Sequence, residues 1–450
     1  MQPSLPRRLR VAVHMTAGGM LALLAVFADP LLGRPREWGA VESATLAAGV
    51  IVAAAGLVLR GGRVADRAAG ICLSIIVVMV TMAAAEGAVR ILDIDIVGQE
   101  HAWRKMAPFY RQPTVPTGDV FFRRDGPKVW TGQVINTQMK LYRVTPNPYV
   151  DEPVITVRYD SLGFRAAGDL DDWEIAIAGD SFTELGSLTD DQLHSTIMGR
   201  RLGVRVRNLG VSQTGPLTHL HYLQAWGVAP STRHVVIAFF EGNDLWDLRD
   251  EFRALARRRA TGEREYREIE GDASILRALD GVWQAYRRPA IGPDSAIQAW
   301  FRGRDGDVPV TLAYAPESSA DVLGDGELLA ALDYFFDRYA DFARQAGVTP
   351  WLAYMPVKLR AAHGLLRFPD PRRGMYSQWE PTDLPDFMAE YAARHGIRFV
   401  DLAPALAAAT ARTGELPYAT IYDTHLNALG AAVVARELAR RMGEAVGGSR

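Results

Sequence analysis

At positions 175–183 the chain reads Ile175-Ala176-Ile177-Ala178-Gly179-Asp180-Ser181-Phe182-Thr183, a short apolar run that ends in a polar turn. An apolar run of this length before a Gly is typical of a buried strand, and the residues after it read as the start of a helix. Ser181 would therefore stand in the first turn of a helix, where unpaired backbone N–H groups can receive a developing oxyanion. This position suits a nucleophile, although Gly-Asp-Ser by itself also occurs in ordinary turns.

Three further polar clusters follow in order along the chain. They are Asn208-Leu209-Gly210-Val211-Ser212-Gln213-Thr214-Gly215, Gly242-Asn243-Asp244 and Asp423-Thr424-His425-Leu426-Asn427. The first two come after strand-like runs, and the third precedes an amphipathic helix. Open parallel sheets bind ligands at the carboxyl ends of their strands, so these clusters are expected at one edge of a sheet. A Ser, an Asn, an Asp and a His gathered there would supply a nucleophile, an oxyanion donor, an orienting carboxylate and a general base.

The surrounding chain alternates between strand-like and helix-like patterns. Strands are predicted at 174–178, 204–207, 234–240, 351–354 and 398–400, and helices at 191–202, 217–226, 327–346, 384–395 and 428–442. Alternation of this kind predicts an α/β fold in which a parallel sheet carries helices on both faces.

These four motifs, in this order between about residues 173 and 440, resemble the four blocks of the SGNH (GDSL-like) hydrolase superfamily. The resemblance implies a flavodoxin-like three-layer α/β/α sandwich. It also implies that Ser181 is the nucleophile, that His425 is the general base and that Asp423 orients the imidazole. The oxyanion would be bound by the backbone N–H of Ser181 and the side-chain amide of Asn243. Neither a metal nor an organic cofactor is needed for such a reaction.

A third oxyanion donor in this superfamily is a backbone N–H in the second block, usually that of a Gly. Alignment on Asn208 puts Gln213 at that position, with Gly210 and Gly215 on either side as alternatives. A backbone donor does not require Gly, but the Gln213 side chain would narrow the pocket.

The last block departs from the spacing Asp-x-x-His that many members have. The shorter Asp423-Thr424-His425 resembles the branch of the superfamily that is associated with acetylation of bacterial surface polysaccharides. The resemblance implies a serine esterase that acts on O-acyl groups, in the first place O-acetyl groups, of a carbohydrate. Two alternatives stay open: an O-acyltransferase with the same triad, working with a membrane acyltransferase partner, and a non-catalytic carbohydrate-binding or assembly subunit.

The N-terminal region predicts a membrane anchor. Residues 11–28, 43–59 and 68–85 contain no Asp, Glu, Lys or Arg, and each approaches the ~20 residues that a helix needs to cross a bilayer. Arginines at positions 7, 8 and 10, and again at 60, 63 and 67, favour the cytoplasmic side for both regions, although Arg34 and Arg36 lie in the opposite loop. We therefore expect a multi-pass protein of the bacterial inner membrane with its catalytic domain on the periplasmic side.

Composition argues against two classes of protein, those that bind nucleic acid and those held together by disulfides. The 450 residues carry a formal net charge of −2 and no sustained basic stripe, so nucleic acid is not an expected partner. The single cysteine, Cys72, lies within the third apolar stretch, which excludes a disulfide framework in the exported part.

The predicted domains are an anchor at 1–92, a linker with a small β-rich collar at 93–165, and a hydrolase-like domain at 166–450 with an insertion at about 245–324. The insertion carries five aromatic residues that would either stack on sugar rings or pack against the core: Trp246, Trp283, Tyr286, Trp300 and Phe301.

Two further predictions concern single side chains. Lys358 follows the fourth predicted strand at the active edge and is a candidate contact for substrate. His219 and His221 do not suggest a metal site, because residues two apart on a helix point to different faces.

Overall fold

The computed structural model describes residues 6–31, 40–59, 63–92, 114–118, 121–133, 154–166, 168–262, 275–276, 279, 297–368, 374–421 and 423–447. The chain separates into two compact units: residues 1–100 with 271–287, and residues 101–270 with 288–450. Part of the predicted insertion therefore belongs to the N-terminal unit rather than to the hydrolase-like one.

Three helices with complete bounds lie in the described part of the N-terminal unit: α1 (Arg7–Leu31), α2 (Ala40–Val58) and α3 (Arg63–Ile91). Two of them include stretches long and apolar enough to cross a membrane, Arg7–Phe27 and Arg63–Ile91, whereas the apolar stretch Glu42–Val58 is shorter. About three spans were predicted, with half of a re-entrant pair as the alternative for the second; the apolar stretch of α2 is indeed the shortest of the three.

Polar contacts also occur within this unit. Arg10 on α1 forms a 3.0 Å ion pair with Asp66 on α3. Glu86 accepts a hydrogen bond from Arg90 one turn later and a second one from the backbone N–H of Leu276, at 3.1 Å. The contact with Leu276 connects α3 to the predicted insertion.

The second unit contains the remaining elements. The strands are β1 (Thr114–Thr117), β2 (Phe121–Arg124), β3 (Lys128–Gln133), β4 (Val154–Tyr159), β5 (Ile175–Gly179), β6 (Val206–Gly210), β7 (His234–Phe240), β8 (Ala299–Gly303), β9 (Gly306–Val310), β10 (Thr349–Met355), β11 (Leu366–Arg367) and β12 (Arg398–Asp401). The helices are α4 (Ser181–Glu184), α5 (His194–Leu202), α6 (Pro216–Trp226), α7 (Asp244–Thr261), α8 (Ser319–Gly324), α9 (Gly326–Ala346), α10 (Lys358–Ala361), α11 (Gly374–Ser377), α12 (Leu384–Arg394), α13 (Ala403–Thr413) and α14 (Ala428–Gly447).

Five parallel strands form the central sheet, in the order β12-β10-β7-β5-β6. The chain moves from β5 outward to β6 and then returns to the other side of β5 to form β7. This is the doubly wound, flavodoxin-like strand order, and its switch point lies between β5 and β7. The predicted α/β fold with a parallel sheet is thus confirmed.

Alternation along each central strand sorts its side chains onto two faces. On β5, Ile175 and Ile177 belong to one buried cluster, which also contains residues of α5, α13 and α14. Ala176 and Ala178 belong to a second cluster with residues of α6, α9 and α12. Both faces are covered by helices, which explains why β5 is apolar without interruption.

Small antiparallel sheets accompany the central one. β1 pairs with β2, and β3 pairs with β4, within the region predicted as a β-rich collar. We call residues 121–166 the collar from here on. β4 leads into a turn in which the Asp160 carboxylate accepts hydrogen bonds from the N–H groups of Leu162 and Phe164, both at 2.9 Å.

The predicted insertion is in part regular core structure. α7 begins at Asp244, and its Leu245 and Leu248 are buried in the cluster shared with α6 and α9. The following hairpin, β8 and β9, pairs with β11 and buries Phe301 in the core, whereas Trp246 is 42% exposed. Trp283 and Tyr286 lie outside the described residues.

Candidate active site

Ser181 begins α4, two residues after β5 ends. Asp180 caps this helix, because its carboxylate accepts a 2.8 Å hydrogen bond from the N–H of Phe182. The strand and the helix approach each other so closely that a Cβ on Gly179 would lie 2.2 Å from the Thr183 hydroxyl. The turn therefore requires Gly at 179 and presents the Ser181 hydroxyl at the carboxyl edge of the sheet.

Ser181, His425 and Asp423 form a continuous chain of hydrogen bonds. The Oγ of Ser181 lies 2.8 Å from the Nε2 of His425, and the Nδ1 of the same ring lies 2.5 Å from the Oδ1 of Asp423. The backbone N–H of His425 donates to the same carboxylate oxygen at 2.9 Å. The structure thus brings the predicted nucleophile, base and orienting carboxylate into the geometry of a catalytic triad.

The short contact between Asp423 and His425 shifts the pKa values of both side chains. Burial by itself would raise the pKa of Asp423, but the charge and hydrogen bonds of His425 outweigh burial and lower this pKa to about 2. Burial opposes charging of the His425 imidazole, yet the adjacent Asp423 raises the pKa of His425 above its ordinary value. Asp423 is therefore ionised at neutral pH and can stabilise an imidazolium that forms during reaction.

Asn243 follows β7, the neighbour of β5 on the other side of the switch point. Its side-chain amide donates a hydrogen bond to the carboxylate of Asp247, one turn into α7. This contact fixes the plane of the amide and uses one of its two N–H groups, which leaves the second for an oxyanion. Asp247 was not predicted as a site residue; its position four residues after Asn243, near the start of a helix, is the only sign of its role in the sequence.

The structure distinguishes between the candidates for the second-block donor. The N–H of Gly210 donates to the Asn208 side chain at 2.8 Å, and that of Gly215 donates to Glu251 at 2.8 Å. Within the described part of the chain the N–H of Gln213 has no hydrogen-bond partner. Gln213 also has a left-handed backbone, with φ of 69°, which is the conformation that favours Gly. Gln213 is therefore the candidate with a free N–H.

Gly210 has a packing role instead. A Cβ at this position would lie 2.4 Å from the backbone nitrogen of Glu184, so α4 can rest on the end of β6 only because residue 210 is Gly. Asn208 strengthens the same contact, since its amide donates to the carbonyl of Thr183 at 3.0 Å.

The prediction that Lys358 contacts substrate is wrong. Lys358 is 2% exposed, and its ammonium group donates to three main-chain carbonyls: Thr311 at 2.9 Å, Thr420 at 3.1 Å and Asp423 at 2.6 Å. Burial lowers the pKa of this ammonium to about 7, against the opposing charge of Asp423. Because all three donors are used, Lys358 anchors the loop that carries Asp423 and has no free donor for a ligand.

Other carboxyl groups lie close to the triad. Burial raises the pKa of Asp180 to about 6, although the Phe182 N–H opposes this shift. Asp244 is completely buried beside it, and one of its oxygens accepts from the N–H of Phe240 at 2.8 Å. Burial and the nearby Asp180 raise the pKa of Asp244 well above its ordinary value. The edge of the sheet therefore holds less negative charge at neutral pH than its composition suggests.

A groove of about 390 Å³ lies beside Gln213 and Asp247, the acceptor of the Asn243 amide. It is lined by Phe122, Gln213, Gly215, Thr218, Asp247, Asp250, Glu251, Arg253, Ala254 and Arg257. Most of these side chains can form hydrogen bonds, so the groove suits a polar ligand.

The two neighbouring histidines on α6 have separate partners. His219 is buried and lies 3.1 Å from the carbonyl of Thr214, and burial lowers its pKa to about 3. His221 lies 2.9 Å from the hydroxyl of Thr117 on β1. Across the described ranges, no three His, Cys, Asp or Glu side chains are grouped so that they could hold a metal ion.

Comparison with known proteins gives a likeness of fold. No family model and no curated protein sequence matches the chain. A lipolytic protein of the G-D-S-L family from Veillonella parvula DSM 2008 is 15% identical; the match covers 59% of this chain and 96% of that one, with a TM-score of 0.30. A putative lipolytic protein of the same family from Desulfitobacterium hafniense DCB-2 is 13% identical (60% and 99% covered, TM-score 0.29), and an acetyl xylan esterase, AlAXEase, is 11% identical (59% and 97%, TM-score 0.30). Likenesses at this level do not define a substrate.

Proposed function

We propose that this protein is a membrane-anchored serine esterase of the SGNH type that removes O-acyl groups, in the first place O-acetyl groups, from a carbohydrate outside the cytoplasm. The observation that carries the proposal is the hydrogen-bonded chain from Ser181 through His425 to Asp423 at the carboxyl edge of a parallel sheet. An ionised carboxylate, an imidazole and a hydroxyl in this order form the arrangement that activates serine in ester hydrolysis.

In the proposed reaction the Oγ of Ser181 attacks the ester carbonyl carbon while the Nε2 of His425 takes the hydroxyl proton. The carbonyl π electrons move to the oxygen, and this oxyanion is bound by the N–H groups of Ser181 and Gln213 and by the amide of Asn243. Collapse of the tetrahedral intermediate breaks the bond to the alcohol, which receives its proton from His425. The acyl group is then bound to Ser181 as an ester, and a water molecule activated by His425 releases it as the carboxylic acid.

The chemistry of the groove beside Gln213 supports a polar substrate. Charged and hydrogen-bonding side chains of α7 line the groove, including Asp250 and Arg253, and these groups match sugar hydroxyls better than they match a hydrocarbon chain. A long fatty acyl chain bound in this groove would displace water from these charged side chains without offering them hydrogen bonds in return.

Acyl transfer is the second candidate, and the spacing Asp423-Thr424-His425 favours it. The first half of the reaction is the same, but a sugar hydroxyl replaces water in the second half. A membrane acyltransferase partner would deliver the acyl group to Ser181 in that case. Product analysis distinguishes the two: hydrolysis releases free acetate, whereas transfer moves the acetyl group onto an added glycan.

The proposed location rests on the apolar stretches of α1 and α3 and on the arginines that flank them. Helices of this length and composition suit insertion into a lipid bilayer, and arginine-rich loops stay on the cytoplasmic side. We place the hydrolase-like unit on the periplasmic side for that reason.

The experiment uses the full-length protein in detergent with aryl acetates, followed by acetylated and deacetylated glycans. Ser181→Ala should abolish ester turnover while the protein stays folded, because loss of the nucleophile removes most of the acceleration. Ser161→Ala, at an exposed serine away from the triad, is the matched control and should keep the wild-type rate. Unchanged turnover in a folded Ser181→Ala protein contradicts the mechanism, and a wild type inactive on every ester would favour a non-catalytic binding or assembly role.

A further inference from the structure

Glu184 is a buried acidic residue that the proposed reaction does not use directly. It is the last residue of α4, three positions after Ser181, and its side chain has no exposure to solvent. One carboxylate oxygen accepts a 2.5 Å hydrogen bond from the backbone N–H of Ser212, and the other accepts a 2.7 Å hydrogen bond from the hydroxyl of Tyr159. A single carboxylate thus joins the nucleophile helix to the loop that follows β6.

Arg124 of β2 completes this set of contacts. Its Nε and Nη2 each lie 3.4 Å from one oxygen of Glu184, and the arginine side chain is 1% exposed. Burial alone would raise the pKa of Glu184, but Arg124 and the Ser212 N–H more than offset burial and lower it. Glu184 is therefore an ionised acceptor at neutral pH, and ionised acceptors form the stronger hydrogen bonds.

The hydrogen bond between Ser212 and Glu184 lies next to Gln213, the proposed oxyanion donor. Ser212 directly precedes Gln213, the residue whose N–H is free and whose backbone is left-handed. Non-glycine residues resist this conformation, so the loop has to be held in it by contacts elsewhere. The hydrogen bond from Ser212 to Glu184 is such a contact, and it originates from the same four-residue helix that carries Ser181.

We propose that Glu184 is a positioning residue that sets the oxyanion-binding N–H of Gln213 relative to Ser181, and that Arg124 and Tyr159 of the collar hold Glu184 in place. This inference rests on the proposed function, because it assigns an oxyanion to the N–H of Gln213. It makes the collar part of the catalytic unit, since two of the groups that fix the carboxylate come from β2 and β4.

A third collar residue, Arg165, contacts the same helix independently. The guanidinium of Arg165 donates to the carbonyls of Glu184, Leu185 and Leu188, each at 2.9 Å. Leu185 ends α4 with a left-handed φ of 46°. A four-residue helix cannot form by its own hydrogen bonds, so these contacts to the collar stabilise the turn that presents Ser181.

The test compares two buried tyrosines in the full-length protein. Tyr159→Phe removes a hydroxyl that donates to Glu184. Tyr339→Phe removes a hydroxyl near the opposite end of the sheet, which lies 3.0 Å from the carbonyls of Val235 and Trp351 and accepts from the N–H of Trp351 at 3.2 Å. Each change removes one buried hydroxyl, so their effects on thermal stability should be similar. Only Tyr159→Phe should lower kcat for aryl acetate, by roughly 3- to 10-fold, with KM unchanged, as expected when an oxyanion donor is displaced but not removed.

Stronger variants extend the series. Glu184→Gln should lower kcat roughly 30- to 100-fold at constant KM, approaching the loss of a whole oxyanion donor. Because this change leaves Arg124 buried without its partner, the double variant Glu184→Gln/Arg124→Met removes both charges and should fold where the single variant does not. A folded Glu184 variant with wild-type kcat, or an equal fall in kcat for Tyr339→Phe, would overturn the proposal.

A second measurement separates this proposal from the proposed function. Amide hydrogen exchange of the segment around Ser212 and Gln213 should become at least about 10-fold faster in Tyr159→Phe and Glu184→Gln, and stay unchanged in Tyr339→Phe. If wild type turns over no ester but the exchange pattern holds, the esterase function fails and the positioning of this loop by Glu184 stands. Exchange that is equally slow in all variants overturns the positioning role whatever the enzyme does.

Discussion

The side-chain nitrogen of Lys358 donates a 2.6 Å hydrogen bond to the main-chain carbonyl of Asp423, so a buried lysine is attached to the residue whose carboxylate contacts His425. Together with the bonds to Thr311 and Thr420, this contact joins the end of β9, the start of α10 and the loop of the triad. A single side chain thus holds three separate segments together beside the triad.

Replacing Lys358 by Met tests this anchor. The three carbonyls would lose their donor, and buried polar groups without partners cost about 1–3 kcal/mol each, so we expect a loss of at least about 3 kcal/mol in the free energy of unfolding. The freed loop should also lower kcat at least about 10-fold. Thermal melts and aryl acetate kinetics measure both effects. Lys128→Met, at an exposed lysine on β3, is the matched control. Wild-type stability of Lys358→Met would show that the three hydrogen bonds contribute nothing.

The pH dependence of activity should report the coupling between Asp423 and His425. Only the neutral imidazole can take the proton of Ser181, so kcat/KM should rise with pH through a pKa above the ordinary histidine value of about 6.5. Asp423→Asn removes the charge that raises this pKa. The acid limb should then move to lower pH, while the maximal rate falls by roughly 10³–10⁴. An acid limb that stays in place would mean that another group controls it.

Asn243→Ala should lower kcat by roughly 10²–10³ with little change in KM, since an oxyanion donor acts mainly in the transition state. The amide is positioned by Asp247, so the loss should be confined to catalysis and leave the thermal midpoint nearly unchanged. Steady-state kinetics and a melting curve are sufficient. A rise in KM with unchanged kcat would reassign Asn243 to substrate binding.

Gln213→Gly, unlike Asn243→Ala, should leave kcat nearly unchanged. The backbone N–H survives the change, and Gly adopts the left-handed φ of 69° without strain, so activity should be largely retained. Relief of backbone strain should raise the free energy of unfolding, but the greater freedom of Gly in the unfolded chain partly offsets this. The net increase in the free energy of unfolding should be at most about 1 kcal/mol. Acceptors bulkier than water should gain access as the exposed side chain leaves the groove. Damage as large as that of Asn243→Ala would show that the Gln213 side chain takes part in the reaction or binds substrate.

The orientation in the membrane can be checked with reporter fusions. A reporter active only in the periplasm should be active when fused after residue 100 and silent when fused within residues 60–67, because the arginines there favour the cytoplasm. The reverse pattern would place the hydrolase-like unit in the cytoplasm and remove exported polymers as substrates.

Local patterns were sufficient to predict the central sheet. The strand at 234–240 has the bounds expected from its apolar run, and the strand around Ile175 is displaced by a single residue. β6 was placed at 204–207 but runs from Val206 to Gly210, because its last residues are polar or small and pair with β5 all the same. Tertiary pairing overrides local propensity at such positions.

The candidate site was predictable as far as its chemistry follows local motifs. Ser181, Asn243, Asp423 and His425 each stand in a short segment, and the order of these segments along the chain made them recognisable. The contacts that hold them could not be predicted, because Arg124 and Glu184 are 60 positions apart and neither belongs to a motif. Lys358 was misinterpreted for a related reason: its place after β10 is readable, but its burial depends on carbonyls from distant loops.

Because α4 has only four residues and depends on contacts from the collar, an active fragment of this protein has to include the collar. A fragment that starts at Trp173 would contain all five parallel strands and all three residues of the triad, and by strand content it would look complete. It would lack Arg124, Tyr159 and Arg165, whose contacts order the single turn behind Ser181. We therefore expect a fragment whose boundary is drawn from the sheet alone to be inactive, and the minimal active fragment should begin before Phe121.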